Sequence, residues 1–132
     1  MALYQSTNNS KFSSLLSLLK ARIEINKFAH EWRFWSKAIA KAAREVIGSC
    51  KVLVFGSVVE GHATGGSDVD ILIIADQIPK SFRERGNLKA EIEVKACLPL
   101  YHPFEIHLAT SEEVRENPIY REAFSKGLVV SG

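Results

Sequence analysis

Apolar residues recur with a helical period through the first third of the chain. Between residues 11 and 47, which contain no proline or glycine, apolar side chains return every three or four positions. A phase slip near Asn26 predicts either a kink or two successive helices. Ser10 is a suitable N-cap and Gly48 a suitable stop, so we expect residues 1–10 to be frayed. The stripe is rich in aromatic residues, which favours packing in a core or a subunit interface over a ligand site.

Beyond Gly48 the pattern changes to short apolar segments separated by turns. Residues 51–55 are rich in β-branched residues, and residues 69–74 are almost entirely apolar, as expected for a strand buried on both faces. Residues 104–108 alternate between apolar and polar positions, which predicts a strand with one polar face. Residues 58–67 are rich in glycine and predict a turn-rich connection.

Two capping boxes predict where the later helices begin. Ser81 with Glu84 opens a helix that should reach about Cys97. Thr110 opens a second helix that should run to Gly127, with an interruption near Pro118. A terminal strand at residues 128–130 would follow. The order is a helical leader, then strand, strand, helix, strand and helix, which predicts an α+β fold with α/β-like features.

Composition excludes several classes of protein. The 132 residues fit one domain, and 46% hydrophobic with 24% charged residues is typical of a globular chain rather than a disordered or fibrous one. No apolar run is long enough to span a bilayer, and the first residues lack a basic start and an apolar core segment. We therefore expect a cytoplasmic protein without a membrane association. Cys50 and Cys97 are expected to be free thiols.

The net charge of +2 hides two regions of opposite sign. Residues 1–48 carry eight Lys and Arg against three Glu, whereas residues 49–132 carry nine basic against twelve acidic residues. A basic leader is a weak indication of an anionic partner, and a solvated helix face explains it about twice as well. Nucleic-acid binding is not excluded, although no zinc spacing or aromatic-basic interleaving supports it.

The residues that indicate chemistry lie around the second predicted strand. Phe55-Gly56-Ser57 is followed, after ten residues, by Asp68-Val69-Asp70. Residues two apart in a strand share a face, so Asp68 and Asp70 should project side by side. Adjacent carboxylates repel unless a cation lies between them, and Mg²⁺ prefers such oxygen ligands together with substrate phosphates. Glycine at Gly56 would let a phosphate approach the backbone closely.

Glu105 and His107 share the polar face of the third predicted strand. A third carboxylate facing the first two would allow a second metal ion, which could clamp the attacking and leaving oxygens of a phosphoryl transfer. From the alternation alone, a merely solvated face is the slightly better interpretation. For His107 a packing or solvent role is preferred over orientation of a water or an acceptor.

The Gly-Ser motif, the ten-residue spacing and the Ser67-Asp68-Val69-Asp70 motif resemble the minimal nucleotidyltransferases of the DNA polymerase beta superfamily. These are small prokaryotic proteins that are often encoded beside a helical partner of the HEPN type. The resemblance covers about residues 50–127 and implies a small mixed β-sheet flanked by helices. It predicts a nucleotidyltransferase domain at 49–132 behind an N-terminal helical extension at 1–48.

The resemblance also implies roles for individual residues. Gly56, Ser57 and Ser67 would hold ATP or another nucleoside triphosphate. Asp68 and Asp70 would bind Mg²⁺, and Glu105 would ligate a second ion and favour deprotonation of the acceptor hydroxyl. That hydroxyl would attack the α-phosphate and expel pyrophosphate, which would leave a transferred nucleoside monophosphate. In antitoxins of this kind AMP is placed on a tyrosine of the helical toxin.

Two features depart from the family pattern. Many members carry arginines directly after the Gly-Ser, whereas this chain has Val58, Val59 and Glu60 there. Triphosphate anchoring would then fall to residues elsewhere, with His62, Lys80 and Arg83 as candidates, or would be weak. The third acid is Glu105 where Asp is common.

Two functions therefore stay open. One is a metal-dependent nucleotidyltransferase that modifies a hydroxyl, for example on a partner toxin. The other is a non-catalytic antitoxin or scaffold that neutralises a helical partner by binding, which the helical leader and the missing arginines favour. A homodimer through the N-terminal helix is compatible with both.

Overall fold

The computed structural model describes residues 2–61 and 68–130, with side chains from residue 11 onward apart from Ile25. Within these ranges the chain forms six helices and four strands. In chain order they are α1 (Ala2–His30), α2 (Trp32–Ile47), β1 (Lys51–Phe55), α3 (Ser57–Glu60), β2 (Val69–Ile74), α4 (Phe82–Lys95), β3 (Phe104–Ala109), α5 (Ser111–Glu116), α6 (Pro118–Lys126) and β4 (Leu128–Val129).

The predicted leader is two helices. The break falls at Glu31, five residues after the phase slip at Asn26. α1 begins at Ala2, so the expectation of a frayed start capped by Ser10 is wrong. A helix that continues through a short polar segment keeps its backbone hydrogen bonds, which explains why a cap at Ser10 is not needed.

Four strands form one mixed sheet in the order β3-β2-β1-β4. β1 runs antiparallel to both β2 and β4, and β2 runs parallel to β3. The parallel pair needs a crossover, and α4 provides it. The predicted α+β class and the small mixed sheet flanked by helices are confirmed.

Each face of the sheet has its own apolar core. One face packs against α2 and α4 and includes the fully buried side chains of Val52, Ile71 and Ile39. The opposite face carries α5 and α6 over Leu53, Leu72 and neighbouring apolar side chains. α2 thus belongs to the core around the sheet, although it lies in the predicted extension; the domain division after residue 48 stays a prediction.

Side-chain caps set the ends of the later helices as the sequence indicates. The Ser81 hydroxyl accepts a hydrogen bond from Glu84 N, and Thr110 forms a complete capping box with Glu113. The predicted interruption near Pro118 occurs at Asn117, whose side chain caps α6 by accepting from Ile119 N and Tyr120 N. Cys50 and Cys97 are free. No helix within residues 2–61 and 68–130 is long and apolar enough to cross a membrane.

Candidate active site

The register of the sheet brings acidic side chains from separate strands together. Asp70 lies opposite Phe55 in β1 and opposite Glu105 in the parallel strand β3. His107 lies two positions further along β3, opposite Leu72. Because alternate residues share a face, all of these side chains lie on the face that carries α5 and α6. They are close to the end of β1 and the starts of β2 and β3.

Asp70, Glu105 and His107 form a compact group, which we call the acid–histidine cluster. His107 Nε2 lies 3.4 Å from Asp70 Oδ1 and 3.9 Å from Glu105 Oε1. One ligating atom from each residue lies within 4.8 Å of the other two. Asp70 and His107 are partly buried, with 27% and 22% of their side chains exposed, whereas Glu105 is 57% exposed. The cluster is therefore reachable from solvent.

Among the side chains that the structure describes, no arginine or lysine forms an ion pair with the acid–histidine cluster. Within residues 2–61 and 68–130, the ion pairs of Asp70 and Glu105 are both with His107. Two carboxylates in direct register on neighbouring strands repel each other. Such an arrangement costs folding free energy unless a cation or a substrate compensates it.

Gly56 supports Asp70 from the neighbouring strand end. Its φ of +85° lies in the region that glycine alone adopts without strain, and a Cβ there would lie 2.6 Å from Asp70 Oδ2. Gly56 also begins α3, because its carbonyl accepts hydrogen bonds from Val59 N and Glu60 N. The motif predicts that Gly56 allows a phosphate to approach the backbone, and in the structure this glycine also leaves the space that the Asp70 carboxylate occupies.

His107 is held in place by two aromatic rings. The Tyr120 hydroxyl lies 3.3 Å from His107 Nδ1, and the two rings meet edge to face with centroids 5.7 Å apart. The Phe55 ring lies 5.4 Å from the imidazole. Burial, reinforced by the charge of Glu113, raises the pKa of Tyr120, so that its phenol stays neutral at neutral pH.

The chemistry of these donors fits a divalent metal ion. Asp70 and Glu105 offer carboxylate oxygens, which suit Mg²⁺ and Mn²⁺, and His107 adds a nitrogen. Asp70, Glu105 and His107 are thus a group that could hold a metal ion.

The other predicted site residues are placed less completely. Asp68 is exposed directly before β2 and is not among the three residues of the acid–histidine cluster. Ser57 is the first residue of α3 and follows Gly56. Ser67 and His62 lie outside the described residues. The metal role of Asp68 and the nucleotide roles of Ser57 and Ser67 stay predictions.

Lys80 and Arg83 are not near the cluster. Both follow the end of β2 at Ile74, whereas Asp70 lies near its start, about 13 Å away along the strand. Lys80 instead lines a cavity with Asp76, Arg85 and residues of α5. The structure therefore does not bring these two cations to the Gly56–Ser57 turn.

A cleft of about 300 Å³ lies directly beside Gly56. Phe55 and Val59 line one side, and Ile119, Glu122 and Lys126 of α6 line the other, together with Glu60, Ala123 and Gly127. Lys126 forms an exposed ion pair of 3.1 Å with Glu122. The cleft places one cationic side chain near the turn that follows β1.

Sequence reasoning missed the contribution of His107 and Tyr120. His107 packs against Phe55 and Tyr120, in line with a packing role, and it also contacts both carboxylates, which a packing role alone does not include. The alternation of β3 already placed His107 on the face of Glu105. Tyr120 carried no sequence signal, because its contact with His107 depends on how α6 lies over the sheet.

Comparisons with known proteins agree with the fold and indicate a family. A family model described as "Nucleotidyltransferase domain" matches residues 36–130. A candidate nucleotidyltransferase from Sulfolobus solfataricus, solved by crystallography, shares the fold with a TM-score of 0.53 and 15% identity, covering 84% of this chain and 83% of its own. A second crystallised candidate nucleotidyltransferase has a TM-score of 0.51 and 25% identity over 68% of this chain and 92% of its own. A comparison with curated proteins found no match.

The match begins inside α2 and extends through β4, so it includes the acid–histidine cluster, the Gly56 turn and every strand of the sheet. It spans well over half of the 132 residues. The chain belongs to the nucleotidyltransferase domain family.

Proposed function

We propose that the protein transfers a nucleoside monophosphate, AMP from ATP, to an acceptor hydroxyl with the help of Mg²⁺. The observation that carries the proposal is the in-register pair of Asp70 and Glu105, two carboxylates without an arginine or lysine partner in the described ranges. Family membership supports transfer of a nucleotidyl group, and the donor set supports a metal ion.

Each residue of the site would have a defined task. Asp70 and Glu105 would hold the metal ion, which supplies positive charge for the phosphates when it is bound. Asp68 would add a carboxylate from the residue before β2 and allow a second ion. In the transfer the acceptor oxygen would bond to the α-phosphorus, the bond to pyrophosphate would break, and Glu105 would favour removal of the hydroxyl proton by accepting it.

The phosphates would lie at the Gly56–Ser57 turn. Gly56 has no side chain, and the Ser57 hydroxyl is a hydrogen-bond donor beside it, with Ser67 as a further predicted contact. Val58 and Val59 occupy the positions where an arginine is common, so another cation is needed. Lys126 lines the cleft beside Gly56 and is the candidate that we propose for this task.

The test is transfer of label from α-labelled ATP with Mg²⁺ in host lysate, followed by identification of the labelled product. Asp70→Asn is expected to reduce transfer at least about a thousandfold, because it removes a carboxylate from the metal site. Asp76→Asn is the matched control, since Asp76 follows the other end of β2 and accepts a hydrogen bond from Ser111 N. Equal labelling by Asp70→Asn and wild type would contradict the proposal.

A specific observation favours a second candidate, a partner-binding role for α1. Six large apolar side chains on this helix are 41–68% exposed, namely Phe12, Leu15, Leu16, Leu18, Leu19 and Ile23. The helix also carries mainly basic charges. These features suit a helical partner of the HEPN type, or a second copy of the chain in a homodimer. In this alternative the protein is an antitoxin that neutralises by binding alone.

The two proposed functions can be distinguished with one variant of the α1 surface and one variant of the acid–histidine cluster, each measured for complex formation and for neutralisation. With a helical HEPN-type protein from the same genome, Leu15→Ser together with Leu19→Ser should abolish complex formation, whereas Asp70→Asn should leave it intact. If neutralisation of that protein survives Asp70→Asn and needs only the α1 surface, the binding role is correct. Loss of neutralisation with an intact complex supports transfer.

A further inference from the structure

His107 is the member of the acid–histidine cluster that a purely oxygen-ligated metal site does not need. We propose that His107 Nε2 is a direct ligand of the metal ion and that Tyr120 positions its ring, so that the site prefers a divalent first-row transition-metal ion, represented by Mn²⁺, over Mg²⁺. The inference rests on the proposed function, because the metal site is the one at which the transfer would take place.

The distances of His107 suit a shared ion. Ligands about 2.1 Å from one metal ion lie about 3.0 Å apart at a right angle and about 3.4 Å apart at a tetrahedral angle. His107 Nε2 lies 3.4 Å from Asp70 Oδ1 and 3.9 Å from Glu105 Oε1. At 3.4 Å the nitrogen and the Asp70 oxygen are at the upper limit of a hydrogen bond. The spacing is therefore at least as suitable for an ion between the groups as for direct contact.

Tyr120 fixes which nitrogen of His107 faces the carboxylates. Its hydroxyl lies 3.3 Å from Nδ1, so Nε2 is the atom directed at Asp70 and Glu105. When Nδ1 carries the hydrogen and donates it to the Tyr120 oxygen, Nε2 presents a free lone pair. Histidine ligands of metals usually donate their second ring N–H in this manner, and such a partner sets both tautomer and orientation.

Packing limits how far the imidazole can rotate. Phe55 contacts the ring from β1 and Tyr120 contacts it from α6, with centroid distances of 5.4 Å and 5.7 Å. The backbone of His107 is fixed by its register with Leu72 inside the sheet. The nitrogen is thus supported by three elements that meet at one place, and a preorganised ligand loses less entropy on binding.

A nitrogen ligand changes which ion the site prefers. Mg²⁺ favours oxygen donors and keeps much of its water, whereas imidazole binds first-row transition metals more strongly. Two carboxylates and one imidazole with open positions would still leave room for substrate phosphates. The alternative is that His107 only donates a hydrogen bond from Nε2 to Asp70. In that case no imidazole nitrogen would coordinate the metal ion.

The test measures metal binding directly on the full-length protein without nucleotide. Mn²⁺ is titrated and its free concentration is followed by electron paramagnetic resonance, and Mg²⁺ is then added as a competitor. Spin-echo modulation from ¹⁴N reports whether an imidazole nitrogen is bound to Mn²⁺. We expect ¹⁴N modulation in wild type and its loss in His107→Gln, whose Mn²⁺ affinity should fall about 10- to 100-fold.

Three further variants, compared with His107→Gln, make the result specific. Glu105→Gln should weaken Mn²⁺ and Mg²⁺ binding by similar factors, so the preference stays, whereas His107→Gln should lower the preference for Mn²⁺ about tenfold. Tyr120→Phe keeps the ring contact and loses the hydroxyl, so ¹⁴N modulation should remain while affinity falls about threefold to tenfold. His30→Gln, an exposed histidine at the end of α1, should change neither quantity.

Two outcomes would overturn the inference. One is Mn²⁺ bound to the wild-type protein without ¹⁴N modulation; this measurement does not depend on whether His107→Gln folds. The other is an unchanged preference between Mn²⁺ and Mg²⁺ in folded His107→Gln. Either result would leave the proposed function standing if label transfer with Mg²⁺ still required Asp70. Mn²⁺ binding with ¹⁴N modulation but no transfer would instead reject the proposed function alone.

Discussion

The acidic groups near the two ends of β3 are compensated in different ways. Near its C-terminal end, Glu113 of α5 forms a two-pronged ion pair with Arg85 of α4, at 2.5 and 2.9 Å. Near its start, Asp70 and Glu105 have only His107 as an ion-pair partner among the described residues. The Glu113 carboxylate is therefore neutralised by an arginine of the chain, whereas Asp70 and Glu105 have no arginine or lysine partner within residues 2–61 and 68–130.

This difference separates a structural ion pair from a candidate binding site. Arg85 holds two helices across the edge strand, because it also donates to the carbonyl oxygens of Leu108 and Pro79. The charge-assisted contacts hold the pKa of Glu113 down at about 2. Within residues 2–61 and 68–130 the acid–histidine cluster has no such arginine, so the free energy of unfolding should depend on what binds there.

The largest expected effect on stability is at the Arg85–Glu113 ion pair. Arg85→Met leaves Glu113 without its cation and two carbonyl oxygens without their donor, so the free energy of unfolding should fall by about 3 kcal/mol. Urea denaturation measures this. Lys126→Met is the control, because the exposed Lys126–Glu122 pair should contribute less than about 0.5 kcal/mol. Equal effects of the two variants would remove the distinction between a structural and a surface pair.

A second prediction concerns Gly56, which lies beside the acid–histidine cluster. Gly56→Ala places a Cβ 2.6 Å from Asp70 Oδ2 at a φ of +85°, so we expect a loss of about 2 kcal/mol and weaker metal binding. Gly61→Ala is matched, since φ is +79° there and no described atom lies within 4 Å of the added Cβ. It should cost about 1 kcal/mol, the backbone strain alone. If both glycines gave the same loss and the same metal affinity, Gly56 would not support the carboxylate.

Local signals predicted most of the elements and part of the site. The bounds of β1 and β2 follow from apolar runs between turn residues, and Thr110 marks its helix start by a capping box. Asp70 and Glu105 are predicted as site residues from the resemblance of the Gly-Ser and Asp-x-Asp motifs to a family, because strand alternation alone favours a solvated face for Glu105. The structure confirms that these two acids meet across β2 and β3.

Contacts that depend on tertiary register could not be predicted. Tyr120 meets His107, and Arg85 meets Glu113, only because helices from distant parts of the chain lie over the same strand. The leader shows the same limit, because one apolar stripe divides into a helix that packs on the sheet and a helix with six exposed large apolar side chains. Periodicity shows which face is apolar but not what covers it.

The lowered pKa of Glu113 should make the stability of the protein depend on pH in the acid range. The folded-state pKa of Glu113, about 2, lies below its ordinary value of 4.5. Its contribution is therefore complete above about pH 5 and is lost as the pH falls toward 2. The shift alone would correspond to about 3 kcal/mol, and screening of a side chain that is 38% exposed reduces this to about 1–2 kcal/mol. Glu113→Gln should flatten this part of a urea-stability profile, whereas unchanged acid sensitivity would mean that other groups cause it.

The smallest expected effect is at the acid–histidine cluster, where removal of one charge should raise the stability of the protein instead of lowering it. In EDTA, Glu105→Gln removes the repulsion with Asp70 across the strands, so stability should rise by about 0.2–1 kcal/mol. Saturating Mn²⁺ should reverse the order, because wild type gains about 2.7 kcal/mol at a hundredfold excess over its dissociation constant. Thermal unfolding with and without metal measures both quantities, and Glu122→Gln serves as a surface control. A stability loss for Glu105→Gln in EDTA would show that the chain already compensates this carboxylate, and the contrast between the two ends would then disappear.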